Sequence, residues 1–478
     1  MNYRLVFYTL GMVLNTAGVC MLLPLICALI YGEPYATTFS ACILLCLLIG
    51  VPLTLKRPKD HSMYAKEGFV IVASSWIIIS LFGSLPFIIS GKIPNFFDAF
   101  FETVSGFTTT GASILENIDD FPRSLLFWRS FTHWLGGMGV LVFLVALLPS
   151  SGGSNFYLMQ AESTGANVSK LVPKVRSTAK LLYGMYIGLT LLEIVLLLLG
   201  GMSWFESLTL SFGTAGTGGF GVLSDSIGSY SPYVQWVIAV FMLLFGIDFS
   251  IYHMILLRKF KSAFSSEEAR GYLTIILAST VFICINCWNY FSSFWDVLRH
   301  SFFQVSSIIT TTGYTTFDFN TWPEFSKTIL VIIMFVGACA GSTGGGIKVS
   351  RIMILCKSII KQIKITIHPK RTYKITMNGR TIEHETLRAI NVYIAVYLVI
   401  YAISLLIISL DNFDFTTNFT AVAATLNNIG PGLNMVGPTG NFAHFSNLSK
   451  LVLTFDMLFG RLEIYPMLVL FARSTWKK

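Results

Sequence analysis

Four short clusters of threonine, asparagine and glycine recur along the chain, and each follows about three helical turns that begin with aromatic residues. One glycine can be aligned in all four clusters: Gly111, Gly218, Gly313 and Gly430. Successive aligned glycines are 107, 95 and 117 residues apart. A unit of about a hundred residues therefore recurs four times.

These clusters contain no carboxylate, so their oxygen atoms come from backbone carbonyls and side-chain hydroxyls. Such oxygens can replace the water shell of a weakly hydrated monovalent cation. Glycine can adopt a positive φ, which lets successive carbonyls face one axis, and the carbonyl end of each preceding helix also favours a cation. The residues predicted to line such a cation path through their carbonyls are Thr109, Thr110, Gly111, Ala112, Thr217, Gly218, Gly219, Thr311, Thr312, Gly313, Asn428, Ile429 and Gly430.

Acidic residues follow three of the clusters. They are Glu116, Asp119, Asp120, Asp225 and Asp318. A ring of carboxylates at the outer mouth of a pore would concentrate cations there. The alternative is that these are ordinary solvated acids of surface loops.

The composition indicates what must hold these clusters. Of the 478 residues, 54% are apolar and 12% are charged, which is about half the charged fraction of a soluble domain. These figures exclude a soluble fold and predict an integral membrane protein. Apolar stretches long enough to cross a bilayer are predicted at about 5–31, 37–55, 67–90, 124–148, 179–201, 232–257, 271–290, 326–356, 388–410 and 446–472.

The clusters lie between these ten predicted spans, in segments that are too short to cross. Non-helical backbone at membrane depth is tolerated only where protein buries it or water lines it. We therefore predict an all-α integral membrane protein with four repeats, each a helix, a re-entrant pore loop and a second helix (M1–P-loop–M2), around a pseudo-fourfold pore. The predicted units are an N-terminal two-helix hairpin at 1–60 and repeats at 61–150, 151–262, 263–380 and 381–478.

The distribution of Lys and Arg predicts the orientation. With Met1 in the cytoplasm, 25 of the 33 basic residues fall in cytoplasmic segments and six outside, among them Arg129 and Lys450. This asymmetry places both termini in the cytoplasm. The net charge of +9 then needs no nucleic acid as a partner.

Two basic residues lie inside predicted spans, where a charge is costly and usually faces a cavity or a partner. Lys348 follows a glycine-rich stretch that includes Gly344, Gly345 and Gly346. We expect these glycines to break the helix into a movable intramembrane loop in the third repeat, which would act as a gate. The alternative is a packing kink, with Lys348 reaching back to the cytoplasm.

Arg461 is the second such residue and lies in the last predicted span. Its charge would face a cavity or a partner. The alternative is a structural ion pair with Glu463 or Asp456.

Seven motifs together resemble the Trk/Ktr/HKT superfamily of cation transporters, and most of all its TrkH/TrkG potassium-uptake subunits. They are FTTTGAS at 107–113, HWLGGMGVLVF at 133–143, TGGFG at 217–221, TTTGY at 310–314, GSTGGGIKVSR at 341–351, NNIGPG at 427–432 and GRLE at 460–463. The resemblance covers nearly the whole chain. The two extra N-terminal spans favour the Trk type over the eight-span Ktr type.

The resemblance implies a homodimer, with one pseudo-fourfold pore in each protomer, in the bacterial cytoplasmic (inner) membrane. It also implies a cytoplasmic RCK-type regulatory subunit, similar to TrkA, on which alone a nucleotide is expected. No covalently bound cofactor is expected. The cytoplasmic loops at about 149–179 and 357–387 are basic, so we expect them either to dock that subunit or to attract anionic lipid.

Carried over by position, the family's filter pairs are Thr110–Gly111, Thr217–Gly218, Thr312–Gly313 and Ile429–Gly430. In the plant relatives a serine at the first filter position goes with sodium transport, so Gly111 indicates potassium. The doubled glycine of the second turn and Ile429 in the fourth depart from the pattern. In the family the arginine that matches Arg461 points into the cavity and raises the barrier for cations, so the resemblance implies that Arg461 is a gate residue.

The predicted function is potassium uptake through a gated, K⁺-selective pore, which is transport and not enzyme catalysis. A Na⁺-permeable or ion-coupled (Na⁺ or H⁺) monovalent cation transporter is the alternative. A membrane-embedded transferase is less favoured, because the seven histidines are scattered and never have metal-ligand spacing.

Overall fold

The computed structural model describes residues 1–56, 58, 64–139 and 175–476. Its α-helices are Tyr3–Cys20, Leu22–Ile30, Ala36–Leu55, Ala65–Gly83, Leu85–Ile89, Phe96–Phe107, Arg123–Gly137, Val175–Leu199, Trp204–Gly216, Pro232–Phe245, Phe249–Leu256, Phe260–Phe264, Glu267–Asn286, Phe294–Ile309, Glu324–Met334, Val349–Ile367, His384–Ile408, Phe415–Leu426, Asn447–Arg461, Tyr465–Phe471 and Arg473–Trp476. Short 3₁₀ turns lie at Trp288–Tyr290, Phe319–Thr321, Ser409–Asp411 and Asn434–Val436.

Six stretches of the described helices are long and apolar enough to cross a membrane. They are Tyr3–Ile30, Ala36–Leu55, Ala65–Ile89, Ser177–Leu199, Glu267–Asn286 and His384–Asp411. A seventh span results if the pair Pro232–Phe245 and Phe249–Leu256, which is bent by 91°, counts as one. The sequence-based figure of ten spans stays a prediction.

The remaining predicted spans correspond to shorter or broken helices. The stretch at 326–356 divides into Glu324–Met334 and Val349–Ile367, as its glycines led us to expect. The stretch at 446–472 divides into Asn447–Arg461 and Tyr465–Phe471. In the stretch at 124–148, Arg123–Gly137 is helical, and residues 140–148 lie outside the described part of the chain.

The first two predicted spans pack closely against each other. A Cβ added to Gly11 would lie 2.6 Å from the Cβ of Leu53, and one added to Gly50 would lie 2.9 Å from the carbonyl oxygen of Gly11. Small residues let helices approach this closely inside a membrane. The helices Tyr3–Cys20 and Ala36–Leu55 therefore form a tight hairpin.

Four short helices precede the four glycine clusters. We number them short helices 1 to 4: Phe96–Phe107, Trp204–Gly216, Phe294–Ile309 and Phe415–Leu426. Each begins after a polar residue whose side chain accepts a hydrogen bond from a first-turn amide: Asn95, Ser203, Ser293 and Asp414. Such caps satisfy amide groups that have no partner within the helix. The sequence therefore fixes where each short helix begins.

Asp414 illustrates the electrostatics of such a cap. Partial burial raises the pKa of its carboxyl, but hydrogen bonds from Thr417 and Asn434 outweigh this and leave the pKa below its usual range. The backbone amide of Thr417 lies 2.9 Å from Oδ2 of Asp414. An ionised carboxylate here also complements the positive end of the helix dipole.

One small element departs from an all-helical chain. Residues Thr376–Met377 and Arg380–Thr381 pair as an antiparallel hairpin, with Thr376 opposite Thr381. This hairpin lies in the segment 357–387 that the charge pattern assigned to a cytoplasmic loop.

Candidate functional site

The chain makes the same turn after each of the four short helices. Each turn contains one residue with a left-handed backbone (φ between 54° and 58°): Thr109, Thr217, Thr311 and Asn428. The next residue donates its amide to the carbonyl five residues earlier: Thr110 to Ser105 (2.9 Å), Gly218 to Gly213 (2.8 Å), Thr312 to Ser307 (2.9 Å) and Ile429 to Ala424 (2.8 Å). A glycine with positive φ follows: Gly111 (78°), Gly219 (78°), Gly313 (86°) and Gly430 (99°). We number these turns 1 to 4.

This geometry corrects the alignment of turn 2 by one residue. The sequence placed Gly218 beside Gly111, but the residue with the matching positive φ is Gly219. Gly218 has the position of Thr110, because its amide makes the equivalent hydrogen bond. The doubled glycine offered two registers that the sequence alone could not separate. The predicted pair Thr217–Gly218 is therefore replaced by Gly218–Gly219.

The four turns contact one another in a closed order. A Cβ on Gly111 would lie 2.0 Å from the carbonyl oxygen of Gly218, and one on Gly219 would lie 1.9 Å from that of Thr312. A Cβ on Gly313 would lie 2.0 Å from the oxygen of Ile429. The fourth turn returns to the first, since a Cβ on Gly430 would lie 2.8 Å from the oxygen of Thr110. Each glycine therefore packs on a carbonyl of the next turn.

A cavity of about 110 Å³ opens on the glycine side of the turns. Its lining includes all four positive-φ glycines together with Ala112, Glu116 and Arg129. One cavity therefore adjoins all four turns.

The structure shows the contacts of the acids that were predicted to ring the outer mouth. Glu116 lines the cavity. Asp119 instead accepts the amide of Ser224 (2.9 Å), and Asp318 accepts the amide of Asn320 (3.0 Å). The other two acids also hold loops: Asp120 accepts from Asn117, and Asp225 accepts from Ser229. Each of these four carboxylates therefore accepts a hydrogen bond within or between surface loops, and a ring of carboxylates at a pore mouth stays a prediction.

The predicted gating loop lies on the helix side of the turns. The backbone between Glu324–Met334 and Val349–Ile367 is non-helical, with positive φ at Gly337, Gly341 and Gly346. The amide of Gly345 donates to Oγ1 of Thr311 over 2.6 Å. We call residues 341–348 the glycine loop.

Each predicted gate glycine has a close neighbour. A Cβ on Gly344 would lie 3.0 Å from the carbonyl oxygen of Thr310, and one on Gly345 would lie 2.7 Å from that of Asn427. A Cβ on Gly346 would lie 3.0 Å from the Cα of Gly337. The glycine loop is therefore packed against the ends of short helices 3 and 4.

Comparison with known proteins identifies the family of the chain. The model of a family described as TrkH, cation transport protein, matches residues 36–478. The chain belongs to this family. It is 36% identical to the Trk system potassium uptake protein TrkH of Salmonella typhimurium and 32% identical to TrkG of Escherichia coli; both matches cover all of this chain and at least 99% of the relative. The crystal structure of the potassium transporter TrkH from Vibrio parahaemolyticus superposes with a TM-score of 0.89 at 32% identity, over the full length of both chains.

Membership in the TrkH family confirms the resemblance stated from the motifs. It places the chain among transport proteins and not among enzymes, so the transferase alternative falls away. The chain is an all-α, multi-pass membrane protein, as its composition predicted.

Arg461 of this TrkH-family chain lies between the glycine loop and turn 1. Its guanidinium donates to Oγ1 of Thr109 (3.1 Å) and to the carbonyl of Thr343 (2.8 Å). It also donates to the carbonyls of Gly136 (2.6 Å) and Gly137 (2.7 Å). The acids predicted as alternative partners are engaged elsewhere: Glu463 pairs with Arg351 at 2.5 Å, and Asp456 accepts from Ser404.

Lys348 folds back on the glycine loop. Its Nζ donates to the carbonyl oxygen of Gly344, and the side chain is buried. Lys348 also has a positive φ of 82° and precedes the helix Val349–Ile367. The alternative in which this lysine reaches the cytoplasm is therefore wrong for this conformation.

Several residues near the site were not predicted. Glu102 and Arg129 form an ion pair at 2.6 Å with both side chains almost fully buried. Glu102 accepts from the amide of Ile114 (2.9 Å), and Arg129 donates to the carbonyl of Gly221 (3.1 Å). The pair therefore joins the segments that leave turns 1 and 2. In the sequence, this ion pair is visible only as one acid and one base inside apolar stretches.

Two residues that the orientation argument counted as outside are buried in ion pairs. They are Arg129 and Lys450, and Lys450 contacts Oδ1 of Asp98 at 2.6 Å. Neither is a solvated loop charge. Without these two residues the outside count falls from six to four, so the excess of basic residues on the cytoplasmic side becomes larger.

Glu268 holds both ends of the glycine loop. Its Oε1 accepts from the amide of Ala340 (2.7 Å) and from that of Ser350 (3.1 Å). The adjacent Glu267 forms an ion pair with Lys357 and accepts the amide of Asn378, at the tip of the small hairpin (2.9 Å). The start of the helix Glu267–Asn286 therefore connects the small hairpin to the glycine loop.

Proposed function

We propose that this protein takes up potassium ions across the cytoplasmic membrane, through a pore in which backbone carbonyls of turns 1 to 4 replace water around the ion. The observation that carries the proposal is the closed order of the four turns, in which each glycine contacts a carbonyl of the next turn. Curated relatives that match the whole chain are named Trk system potassium uptake proteins. The chain would be the membrane subunit of such a system.

The chemistry of the turns supports potassium as the ion. Potassium holds its water weakly, so neutral carbonyl dipoles can replace that water without a fixed charge. The turns contribute hydroxyl and carbonyl oxygens, and their residues include no acid. The end of each short helix adds the negative side of its dipole. A sodium-permeable pore would be expected with serine in place of Gly111.

The architecture that we propose has four M1–P-loop–M2 repeats at 61–150, 151–262, 263–380 and 381–478, around a pseudo-fourfold axis, and an added hairpin at 1–60. The repeated turn geometry and the closed ring support it. Each positive-φ glycine would lie at the same height on the axis.

The glycine loop and Arg461 would form the gate. The loop contacts turn 3 through Gly345, and Arg461 contacts turn 1 through Thr109, so the two bracket the helix side of the ring. A buried cation beside an ion path raises the energy of a passing cation. Opening would require the loop and the guanidinium to move apart.

The partners that we propose are a second copy of this chain and a cytoplasmic RCK-type regulatory subunit, which alone would bind the nucleotide. Both termini would lie in the cytoplasm of a bacterial cell, at its inner membrane. Of the two basic loops, the part at 357–387 is described and includes the hairpin at 376–381. The regulatory subunit would act on this part. Residues 149–174 of the other loop lie outside the described chain.

A second candidate function is ion-coupled uptake, and one buried acid favours it. Asp456 is 1% exposed. Ser404 donates to its Oδ1 over 2.7 Å, while Oδ2 has no hydrogen-bond partner among the described residues. An ionisable residue at membrane depth is a common proton or ion site. Uptake that depends on an imposed pH gradient, and loses that dependence in D456N, would establish coupling.

The test of potassium uptake is ⁸⁶Rb⁺ entry into liposomes that contain the purified protein, with K⁺ or Na⁺ as competitor. We expect K⁺ to block entry and Na⁺ to leave it unchanged. G313A should abolish entry, because a Cβ at that glycine would lie 2.0 Å from a carbonyl oxygen. G201A is the matched control, since Gly201 also has positive φ but has open space around it. Equal block by Na⁺ and K⁺ would overturn the selectivity that we propose.

A further inference from the structure

Turns 1 and 3 share a pair of hydroxyl groups that turn 2 lacks. In turn 1, Oγ1 of Thr108 lies 2.8 Å from Oγ1 of Thr110. In turn 3, Oγ1 of Thr310 lies 2.8 Å from Oγ1 of Thr312. In each case one hydroxyl belongs to the residue just before the left-handed residue and the other to the residue just after it. The hydrogen bond between the two hydroxyl groups therefore holds together the residues on either side of the left-handed residue.

Turn 2 has glycine at both of these positions. They are Gly216 and Gly218, and the side chain of His133 from the helix Arg123–Gly137 fills the space. A Cβ on Gly218 would lie 2.3, 2.4 and 2.5 Å from Cγ, Nδ1 and Cδ2 of the imidazole. A Cβ on Gly216 would lie 2.3 Å from the carbonyl oxygen of His133 and 3.2 Å from its Cβ. Turn 2 is therefore supported by His133, which belongs to the preceding repeat unit.

Hydrogen bonds fix the imidazole on both sides. Its Nδ1 lies 2.7 Å from the carbonyl oxygen of Gly106, and the amide of Phe220 lies 3.2 Å from Nε2. Because the amide can only donate, Nε2 accepts and Nδ1 carries the proton. The ring also packs on Phe220, with centroids 4.2 Å apart, and His133 is fully buried.

We propose that His133 is a positioning residue for ion selectivity, which takes the place of the missing hydroxyl pair and sets the carbonyl of Gly218. That carbonyl is the one that Gly111 of turn 1 contacts. The proposal rests on the proposed function, since it concerns the selectivity of the same ring. Displacement of the imidazole would let the Gly218 carbonyl turn away and would widen one side of the ring. We expect variants that displace the imidazole to lose selectivity while they still fold.

The test asks whether H133A and G218A, which should each lower the preference for Rb⁺ over Na⁺, compensate for each other when they are combined. H133A leaves the carbonyl of Gly106 and the amide of Phe220 without their shared partner, so we expect the preference for Rb⁺ over Na⁺ to fall by about tenfold. G218A should have a similar effect, because its methyl group collides with the imidazole. In the double variant H133A/G218A the methyl group enters the vacated space and supports the Gly218 carbonyl. The part of the preference that depends on packing should therefore return, while the carbonyl of Gly106 and the amide of Phe220 stay without their partner.

The matched control is G219A, combined with H133A in the same way. A Cβ on Gly219 would lie 1.9 Å from the carbonyl of Thr312, and removal of the imidazole cannot relieve that contact. We therefore expect no rescue in H133A/G219A. Maximal Rb⁺ uptake, half-saturation and the Rb⁺/Na⁺ ratio should be measured per amount of folded protein, so that a loss of folding is not read as a loss of selectivity.

The outcomes separate this inference from the proposed function. If wild-type protein takes up no Rb⁺, the proposed function fails. If wild type is selective and the double variant is no better than either single variant, the role of His133 is wrong. Equal rescue by G219A would also overturn it. If H133A alone is not recovered in folded form, a folded and selective double variant supports the inference, and an unselective one contradicts it.

Discussion

Arg461 donates a hydrogen bond to Oγ1 of Thr109 over 3.1 Å, which joins the end of the helix Asn447–Arg461 to the first turn of the ring. The same guanidinium binds the carbonyl of Thr343 in the glycine loop. One side chain therefore connects the ring to the loop that we propose as the gate. Arg461 therefore supplies a positive charge and hydrogen bonds that link turn 1 to the glycine loop.

Arg461→Ala should increase Rb⁺ uptake. The substitution removes a buried positive charge beside the ion path and releases the glycine loop from turn 1. Lowering a barrier by ~1.4 kcal/mol gives about a tenfold rise in rate, which is the size that we expect. Arg461→Lys is the control, since it keeps the charge but loses the forked hydrogen bonds. Reduced uptake by the alanine variant at normal protein level would instead mean that Arg461 mainly holds the structure together.

Gly111→Ser should raise sodium entry relative to potassium entry. Gly111 has φ of 78°, and any Cβ there would lie 2.0 Å from the carbonyl oxygen of Gly218, so the turn must shift. Gly430→Ser is the comparison, because its nearest contact would be 2.8 Å and the displacement smaller. Competition of Na⁺ and K⁺ against ⁸⁶Rb⁺ measures both. A serine at 111 that leaves the ratio unchanged would reject this assignment of the filter.

The sequence predicted the elements of the site better than their register. Three of the four turns were aligned correctly from the sequence, since Gly111, Gly313 and Gly430 all have positive φ. In turn 2 the glycines at 218 and 219 are equivalent in sequence, and only the φ of 78° at Gly219 separates them. The reason that Gly218 needs no side chain lies in His133, which is distant in sequence. No local pattern could reveal it.

Charges were the other source of error, because their partners lie far apart in the chain. The carboxylate of Asp119 binds the amide of Ser224, 105 residues further along the chain, which no local pattern shows. Arg129 was counted as an outside charge, although it is buried against Glu102. The location of the glycine loop was predicted well, since its glycines cannot continue a helix without cost.

Glu268→Ala should release the glycine loop and raise uptake when no regulatory subunit is present. Oε1 of Glu268 is the shared acceptor for the amides of Ala340 and Ser350, which flank the loop. Each amide that loses its partner costs about 1–3 kcal/mol if it stays buried. Glu268→Gln keeps a carbonyl oxygen at the same place and should behave like the wild type. Uptake into liposomes checks this; unchanged uptake in the alanine variant would mean that another contact holds the loop.

Glu102→Gln or Arg129→Met alone should destabilise the protein more than the two changes together. Each single change leaves one buried polar or charged group without its partner, at a cost of about 3–5 kcal/mol. The pair is 2.6 Å apart, and both side chains are almost fully buried. The double variant removes both charges, so part of the loss should return. The measurement is thermal unfolding in detergent, with Lys327→Met as the control, because its ion pair with Glu324 involves a solvent-exposed acid and contributes little. If the effects of the two single changes simply add in the double variant, the ion pair does not stabilise the segments that leave turns 1 and 2.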